Sequence, residues 1–156
     1  ADLAVWAINT AKKEFEEGRW ALRYGFISCR LEPSVVFELC PVLKKISDFA
    51  EIIKFGVTKM TPNQYYQLHK DTDRGVSINM MLEQQDAICA FADVENKETV
   101  KLDYESNKLY LFNTQVPHTV LNFTGDRYLF TTRFADPIEL LPYRHLQKQL
   151  RKIQLL

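Results

Sequence analysis

The sequence is poor in several residues on which whole classes of protein depend. Its 156 residues include only three cysteines and three histidines, and lysine plus arginine equal aspartate plus glutamate at 20 each. Three scattered cysteines fit neither a disulfide framework nor a zinc knuckle, which favours free thiols in a reducing compartment. A net charge of zero, with no long run of like charge, argues against nucleic-acid binding through bulk electrostatics.

Segments of special composition are missing as well. No internal repeat and no linker rich in proline, glycine or serine divides the chain, and it has neither a glycine-rich phosphate loop nor a nucleophile elbow. No apolar run is long enough to span a membrane, and the first residues lack the layout of a signal peptide. We therefore expect one domain over 1–156 that is cytoplasmic and is not bound to a membrane or to nucleic acid.

The apolar residues that are present predict helices at both ends and strands between them. Helical spacing marks 1–19 and 35–50, where Pro41 should break the helix in two, and 20–31 is predicted to be an extended segment. A last helix should begin near Pro142, within 137–156. Strands are predicted at 52–60, 64–69, 75–82, 86–93, 98–103, 108–113, 117–123 and 127–134. Eight short strands at this spacing favour a jelly roll or barrel over 52–134, so the expected fold is mainly β with flanking helices, the N-terminal ones and one extra strand lying in 1–51.

Two of the three histidines stand in a pattern that is typical of a metal site. His69 and Asp71 form a His-X-Asp triplet at the end of the second predicted strand, and His118 lies early in the seventh. Two imidazoles and one carboxylate on one face of an octahedron form the facial triad of non-haem iron(II) sites, which leaves positions open. In a rolled sheet the second and seventh strands can converge at one mouth, so we predict that the three residues bind one ion. His145 has no partner at ligand spacing and is interpreted as a surface or packing residue.

The segment from about Phe55 to Phe134 resembles the double-stranded β-helix of iron(II)/2-oxoglutarate-dependent oxygenases, in particular the aspartyl/asparaginyl and prolyl hydroxylase branches. The matching motifs are Leu68-His69-Lys70-Asp71, Val76-Ser77-Ile78-Asn79-Met80-Met81-Leu82, Leu111-Phe112-Asn113, Pro117-His118-Thr119-Val120-Leu121-Asn122 and Arg127-Tyr128-Leu129-Phe130-Thr131-Thr132. They cover about half of the chain.

The resemblance implies cofactors and roles for particular residues. His69, Asp71 and His118 would hold Fe(II), and 2-oxoglutarate and O2 would fill the open positions. The far carboxylate of 2-oxoglutarate needs a deep cation, and the planar fork of an arginine matches it. Arg127 is assigned to that role, with Arg133 on the same strand face as the rival.

Further residues are expected near this site. Asn79 and Ser77 share a strand face and, by the resemblance, would contact the co-substrate, although a structural hydrogen bond is the other interpretation. Tyr65 alternates with His69 and would line the same cavity or belong to the core. Arg74 could meet a substrate carboxylate or the metal-bound carboxylate of Asp71, but a solvated turn residue is the more common case.

The resemblance implies hydroxylation of an aspartyl, asparaginyl or prolyl side chain in an amino acid, peptide or protein, and it leaves the acceptor open. The chain departs from the family pattern in two places. Arg127 follows His118 by nine positions where ten are usual, and Leu129 stands where a serine or threonine is frequent. These departures keep open a different class, a cupin-like metal-binding or structural module without oxygenase activity. The C-terminal helix could also supply the contact of a homodimer.

Overall fold

The computed structural model describes residues 2–72, 74–93, 95–137 and 141–156. Its elements in chain order are α1 (Asp2–Glu16), β1 (Ala21–Arg23), β2 (Phe26–Leu31), α2 (Pro33–Leu39), α3 (Pro41–Ser47), β3 (Ile52–Met60), β4 (Gln64–His69), β5 (Val76–Glu83), β6 (Asp86–Asp93), β7 (Glu98–Leu102), β8 (Leu109–Asn113), β9 (His118–Thr124), β10 (Arg127–Phe134) and α4 (Tyr143–Lys152). All eight strands predicted between 52 and 134 are confirmed, with bounds that agree within one residue. The break at Pro41 is confirmed too. Part of the predicted segment 137–156, residues 138–140, lies outside the described residues.

One predicted element is different in the structure. Residues 20–31 were expected to form one extended segment, but they form a hairpin in which β1 pairs antiparallel with β2. Tyr24 and Gly25 reverse the chain with φ values of 53° and 87°. Glycine adopts positive φ without steric cost, so Gly25 allows a turn here. The aromatic and β-branched residues around it favour an extended strand, and for that reason the turn was not predicted.

The strands form two antiparallel sheets with the order of a double-stranded β-helix. The larger sheet has the order β1-β2-β3-β10-β5-β8, and the smaller sheet has the order β4-β9-β6-β7. Successive strands from β3 to β10 pair mostly with distant strands in the sequence, as β3 does with β10 and β4 with β9. This arrangement brings the ends of β4 and β9 to one place, which confirms the predicted roll.

The larger sheet separates the hydrophobic core from the space between the sheets. On one face, alternate residues of β10 pack into the core, among them Tyr128, Phe130 and Phe134. Apolar residues of α1 and α4 cover that face, including Ala7, Ala11, Leu146 and Leu150. The other face of β10 therefore points between the two sheets. None of the helices that the structure describes has the length and hydrophobicity needed to span a bilayer.

The turn between β9 and β10 sets the spacing of His118 and Arg127. Gly125 has a φ of 70°, which a side chain would strain. The buried amide of Asn122 donates to the backbone oxygens of Gly125 and Thr61, each at 2.9 Å, and so ties this turn to the one between β3 and β4. The nine-residue spacing between His118 and Arg127 therefore comes from a tight turn that the buried side chain of Asn122 holds in place.

Candidate metal centre

The structure brings together the three residues that were predicted to bind a metal. His69 ends β4 and His118 begins β9, and the two residues face each other in the antiparallel register. Asp71 follows in the turn after β4, and one potential ligand atom from each residue lies within 4.8 Å of the others. Among the described residues, this is the group of histidine, cysteine and acidic side chains whose geometry suits an ion.

Hydrogen bonds hold the turn that carries Asp71. The backbone N–H of Asp71 donates to the backbone oxygen of Thr114 at 3.0 Å. The amide of Gln115 donates to the backbone oxygens of both Asp71 and Arg74 at 2.9 Å. Since Thr114 and Gln115 precede β9, the same bonds link the position of Asp71 to that of His118.

Both histidines have the orientation of metal ligands. Nδ1 of His69 lies 2.7 Å from the backbone oxygen of Gln67, and Nδ1 of His118 lies 2.8 Å from that of Val116. A carbonyl oxygen only accepts, so each Nδ1 must carry a proton. In the neutral rings, each Nε2 then presents a lone pair to the site, as metal-binding histidines do.

The carboxylate of Asp71 is kept ionised between the two rings. Desolvation alone would raise its pKa, but the contact with His118 and the charge of Arg74 outweigh that effect and hold the pKa at about 2. Burial lowers the pKa of His69, which favours its neutral form. Oδ1 of Asp71 lies 3.3 Å from Nε2 of each histidine. Three electron-rich atoms this close need a cation between them, so the donor set fits a divalent transition metal such as Fe(II).

Aromatic rings surround the two imidazoles. Tyr66 stacks on His69 with 3.6 Å between ring centroids, and Phe112 meets His118 edge-on at 5.0 Å. The β4–β9 register shifts between Tyr66 and His69. This bulge interrupts the alternation from which Tyr65 was predicted to line the same cavity as His69, although Tyr65 does line that cavity.

A cavity of about 660 Å³ runs from this group into the space between the sheets. Its lining includes His69, Asp71 and His118 at one part and Arg127, Asn79, Tyr104 and Cys89 elsewhere. The cavity also contacts Leu129, Thr131 and Arg133, the residues of β10 that alternate with its core residues. One continuous space therefore joins the candidate metal ligands to a buried cation.

Arg127 is a buried cation without a carboxylate partner among the described residues. The residue is only 3% exposed to solvent. Its Nε has no hydrogen-bond partner in the part of the chain that the structure describes. Nη1 contacts the sulfur of Met60 at 3.9 Å. Burial lowers the pKa of Arg127, because desolvation penalises the charged form. An unsatisfied buried guanidinium that lines a cavity is a site for an anion.

Hydrogen bonds connect Tyr104, which lines the same cavity as Arg127, to Asn79 and beyond. The amide nitrogen of Asn79 donates to the hydroxyl of Tyr104 at 3.2 Å, while the amide oxygen accepts from Thr131 at 2.8 Å and from Ser77 at 3.1 Å. The hydroxyl proton of Tyr104 is thus left to donate to something else. Burial raises the pKa of Tyr104 to about 12, so this proton stays on the oxygen near neutral pH.

The remaining predicted residues have different places. Asn79 lines the cavity as expected, whereas Ser77 is fully buried, is absent from the lining and contacts Asn79 instead. Tyr65 is 52% exposed at the edge of the cavity, so the interpretation as a core residue is wrong. Arg133 is partly exposed and also lines the cavity.

Two residues of the site were missed or undervalued from the sequence. Tyr104 lies in the segment after β7, where no strand alternation indicates its direction. Arg74 was interpreted as a solvated turn residue, which is wrong: it is partly buried, and its Nε donates to Oδ2 of Asp71 at 2.7 Å. The spacing of Asp71 and Arg74, three residues apart in a turn, was the available signal.

Comparisons with known proteins agree with this fold. No family model matches the chain, and no curated protein matches its sequence. Among solved structures, the chain is similar to a prolyl-4-hydroxylase from Pseudomonas putida, with a TM-score of 0.63 and 19% identity over 85% of this chain and 86% of that one. It is also similar to the viral collagen prolyl hydroxylase of Paramecium Bursaria Chlorella virus-1 in its 2OG complex, with a TM-score of 0.59 and 14% identity over 83% and 87% of the two chains. These likenesses confirm the double-stranded β-helix, the fold of the predicted resemblance.

Proposed function

We propose that this chain is an Fe(II)- and 2-oxoglutarate-dependent dioxygenase that hydroxylates an amino-acid or peptidyl side chain. One observation carries the proposal: a His-Asp-His triad and a buried, carboxylate-free arginine line the same cavity. The first is suited to a divalent metal and the second to an anion. Fold similarity to two prolyl hydroxylases supports the proposal without fixing the substrate.

His69, Asp71 and His118 would hold the iron. Together with O2 and 2-oxoglutarate, the bound Fe(II) would supply an oxidation in which the co-substrate becomes succinate and CO2 and a substrate C–H becomes C–OH. The backbone oxygens of Gln67 and Val116 hold the two rings in the tautomer that binds metal. The negative charge of Asp71 and the neutral rings leave a divalent site with net positive charge, which attracts an anionic chelator.

Arg127 and Tyr104 would bind the far carboxylate of 2-oxoglutarate. The guanidinium can donate two parallel hydrogen bonds, and the hydroxyl of Tyr104 has a proton to give. Asn79 would orient Tyr104, and Ser77 would in turn orient Asn79. Burial strengthens these contacts because little water competes for them.

We expect the prime substrate to be aspartate, asparagine or proline, either as a free amino acid or as a residue in a peptide or protein. Tyr66 lies beside His69 and Tyr65 lines the same cavity, so both would contact it. Three free cysteines suit a reducing compartment, which supports the cytoplasm as the location.

The test is turnover of 2-oxoglutarate without a prime substrate. Purified protein with Fe(II), ascorbate and 2-oxoglutarate should release succinate slowly, and this release should be lost in His118→Ala. The exposed His145 on α4 supplies the matched control, since His145→Ala should retain the rate.

A thermal measurement separates the alternative class. In the presence of Mn(II), 2-oxoglutarate at about 100 times its Kd should stabilise the native state by about 2.7 kcal/mol. Metal binding without turnover and without this stabilisation would instead identify a cupin-like binding module.

A further inference from the structure

The two carboxylate oxygens of Asp71 have different partners. Oδ1 lies 3.3 Å from Nε2 of both His69 and His118, where a metal would bind. Oδ2 points to the other side and accepts from Nε of Arg74 at 2.7 Å. One oxygen is therefore available to an ion, and the other is already occupied by a charge-assisted hydrogen bond.

Arg74 is itself fixed on its far side. Its Nη1 donates to the hydroxyl of Thr131 and to the backbone oxygen of Thr132, each at 3.1 Å. Its own backbone oxygen accepts from the side chains of Thr114 and Gln115. A planar guanidinium held at both ends cannot follow the carboxylate if that group rotates.

The direction of the Thr131 hydroxyl strengthens this attachment. Its single proton goes to the amide oxygen of Asn79 at 2.8 Å, so its oxygen is free to accept from Arg74. Asn79 then donates to Tyr104. Thr131, which fixes the position of Arg74, and Asn79 thus also line the cavity in which an anion would bind to Arg127.

We propose that Arg74 is a positioning residue that restricts Asp71 to binding metal through one oxygen. The inference rests on the proposed function, because it concerns how many positions the metal keeps open. Three protein atoms leave three positions of an octahedron for other ligands, whereas a carboxylate that binds through both oxygens leaves only two. A chelating co-substrate uses two positions, so the second oxygen of Asp71 would remove the place that dioxygen needs.

The test uses Mn(II) as the probe with the full chain. Water-proton relaxation counts the water molecules on the bound Mn(II), and calorimetry gives the affinity of the protein for Mn(II). Arg74→Gln removes the donor to Oδ2, and Arg74→Lys retains a charge but loses the fork that reaches Asp71 and Thr131 together. Lys70→Gln is the control, since Lys70 adjoins Asp71 in sequence and is exposed, and no hydrogen bond joins these two residues in the structure.

We expect three waters on Mn(II) in the wild type and in Lys70→Gln, and one fewer in Arg74→Gln. The affinity of Arg74→Gln for Mn(II) should fall by about tenfold or more, in the range that is common for residues behind a metal ligand, and Arg74→Lys should give a smaller fall. If Arg74→Gln does not fold, the fall in Arg74→Lys decides. Wild-type water number and affinity in a folded Arg74 variant would overturn the proposal for Arg74 alone. A wild-type protein that binds no Mn(II) would overturn the proposed function as well.

Discussion

Replacement of Arg127 by methionine should stabilise the ligand-free protein and abolish its response to 2-oxoglutarate. Arg127 is 3% exposed and has no carboxylate partner among the described residues. The penalty for burying an ion is several kcal/mol, and replacement of even a buried ion pair by apolar side chains of similar volume can stabilise by about 1 to 4 kcal/mol. Methionine is unbranched and apolar, replaces the stem of arginine, and would lie near Met60. Urea denaturation without ligands should therefore give a higher free energy of unfolding for Arg127→Met.

The same variant should lose the co-substrate. Truncating one partner of a buried charge pair costs about 2 to 5 kcal/mol, which corresponds to a loss of affinity of roughly 30-fold to 4,000-fold. Calorimetry of the Mn(II)-loaded protein measures this loss directly. The affinity for Mn(II) alone should change little, because Arg127 does not belong to the His-Asp-His group.

Arg133→Met is the matched control for both measurements. Arg133 lies on the same face of β10 and lines the same cavity, but it is partly exposed. Its replacement should leave the affinity for 2-oxoglutarate within about threefold, because an exposed charge contributes little. The reasoning is refuted if Arg127→Met binds 2-oxoglutarate like the wild type, or if the loss occurs in Arg133→Met instead.

Three further predictions rest on local contacts. Gly56→Ala should lower the free energy of unfolding in urea by about 1 to 3 kcal/mol, because its Cβ would lie 2.8 Å from the backbone oxygen of Cys29, and an unchanged midpoint would contradict this. The ionised Asp71, with a pKa of about 2, should make metal-free wild type more stable than Asp71→Asn by about 2 kcal/mol above pH 4. That difference should disappear as the pH falls through about 2, and a constant difference in urea titrations would argue against it. At about pH 8 the buried Cys29, whose pKa burial raises to about 11, should react with a thiol reagent about tenfold or more slowly than the partly exposed Cys40, whereas equal rates would show that Cys29 is accessible.

The strands and the metal ligands could be predicted because each has a local signal. Short runs of aliphatic, aromatic and β-branched residues mark the strands from β3 to β10, and the turns between them contain polar residues or glycine. His69, Asp71 and His118 could then be assigned to one end of a roll from their positions on β4 and β9. The pairing of these strands follows from the fold class.

The details of the cavity depend on contacts that alternation does not describe. The register of β4 shifts before His69, and Tyr66 stacks on the imidazole ring, a contact that alternation does not predict. Ser77 shares a strand face with Asn79, but it is fully buried and its hydroxyl donates to Asn79. Alternation predicts the direction in which a side chain points, but it does not predict how far that side chain lies from the cavity. Tyr104 comes from an irregular segment, whose path is set by tertiary packing rather than by propensity.

The proposed function requires that His69, Asp71 and His118 bind Fe(II) in a form that 2-oxoglutarate can chelate. Anaerobic addition of Fe(II) and then 2-oxoglutarate, followed by visible absorption, measures this binding. We expect a weak metal-to-ligand charge-transfer band that needs both additions, is lost in His118→Ala and persists in His145→Ala. No band in the wild type, or a band that His118→Ala leaves unchanged, would contradict it.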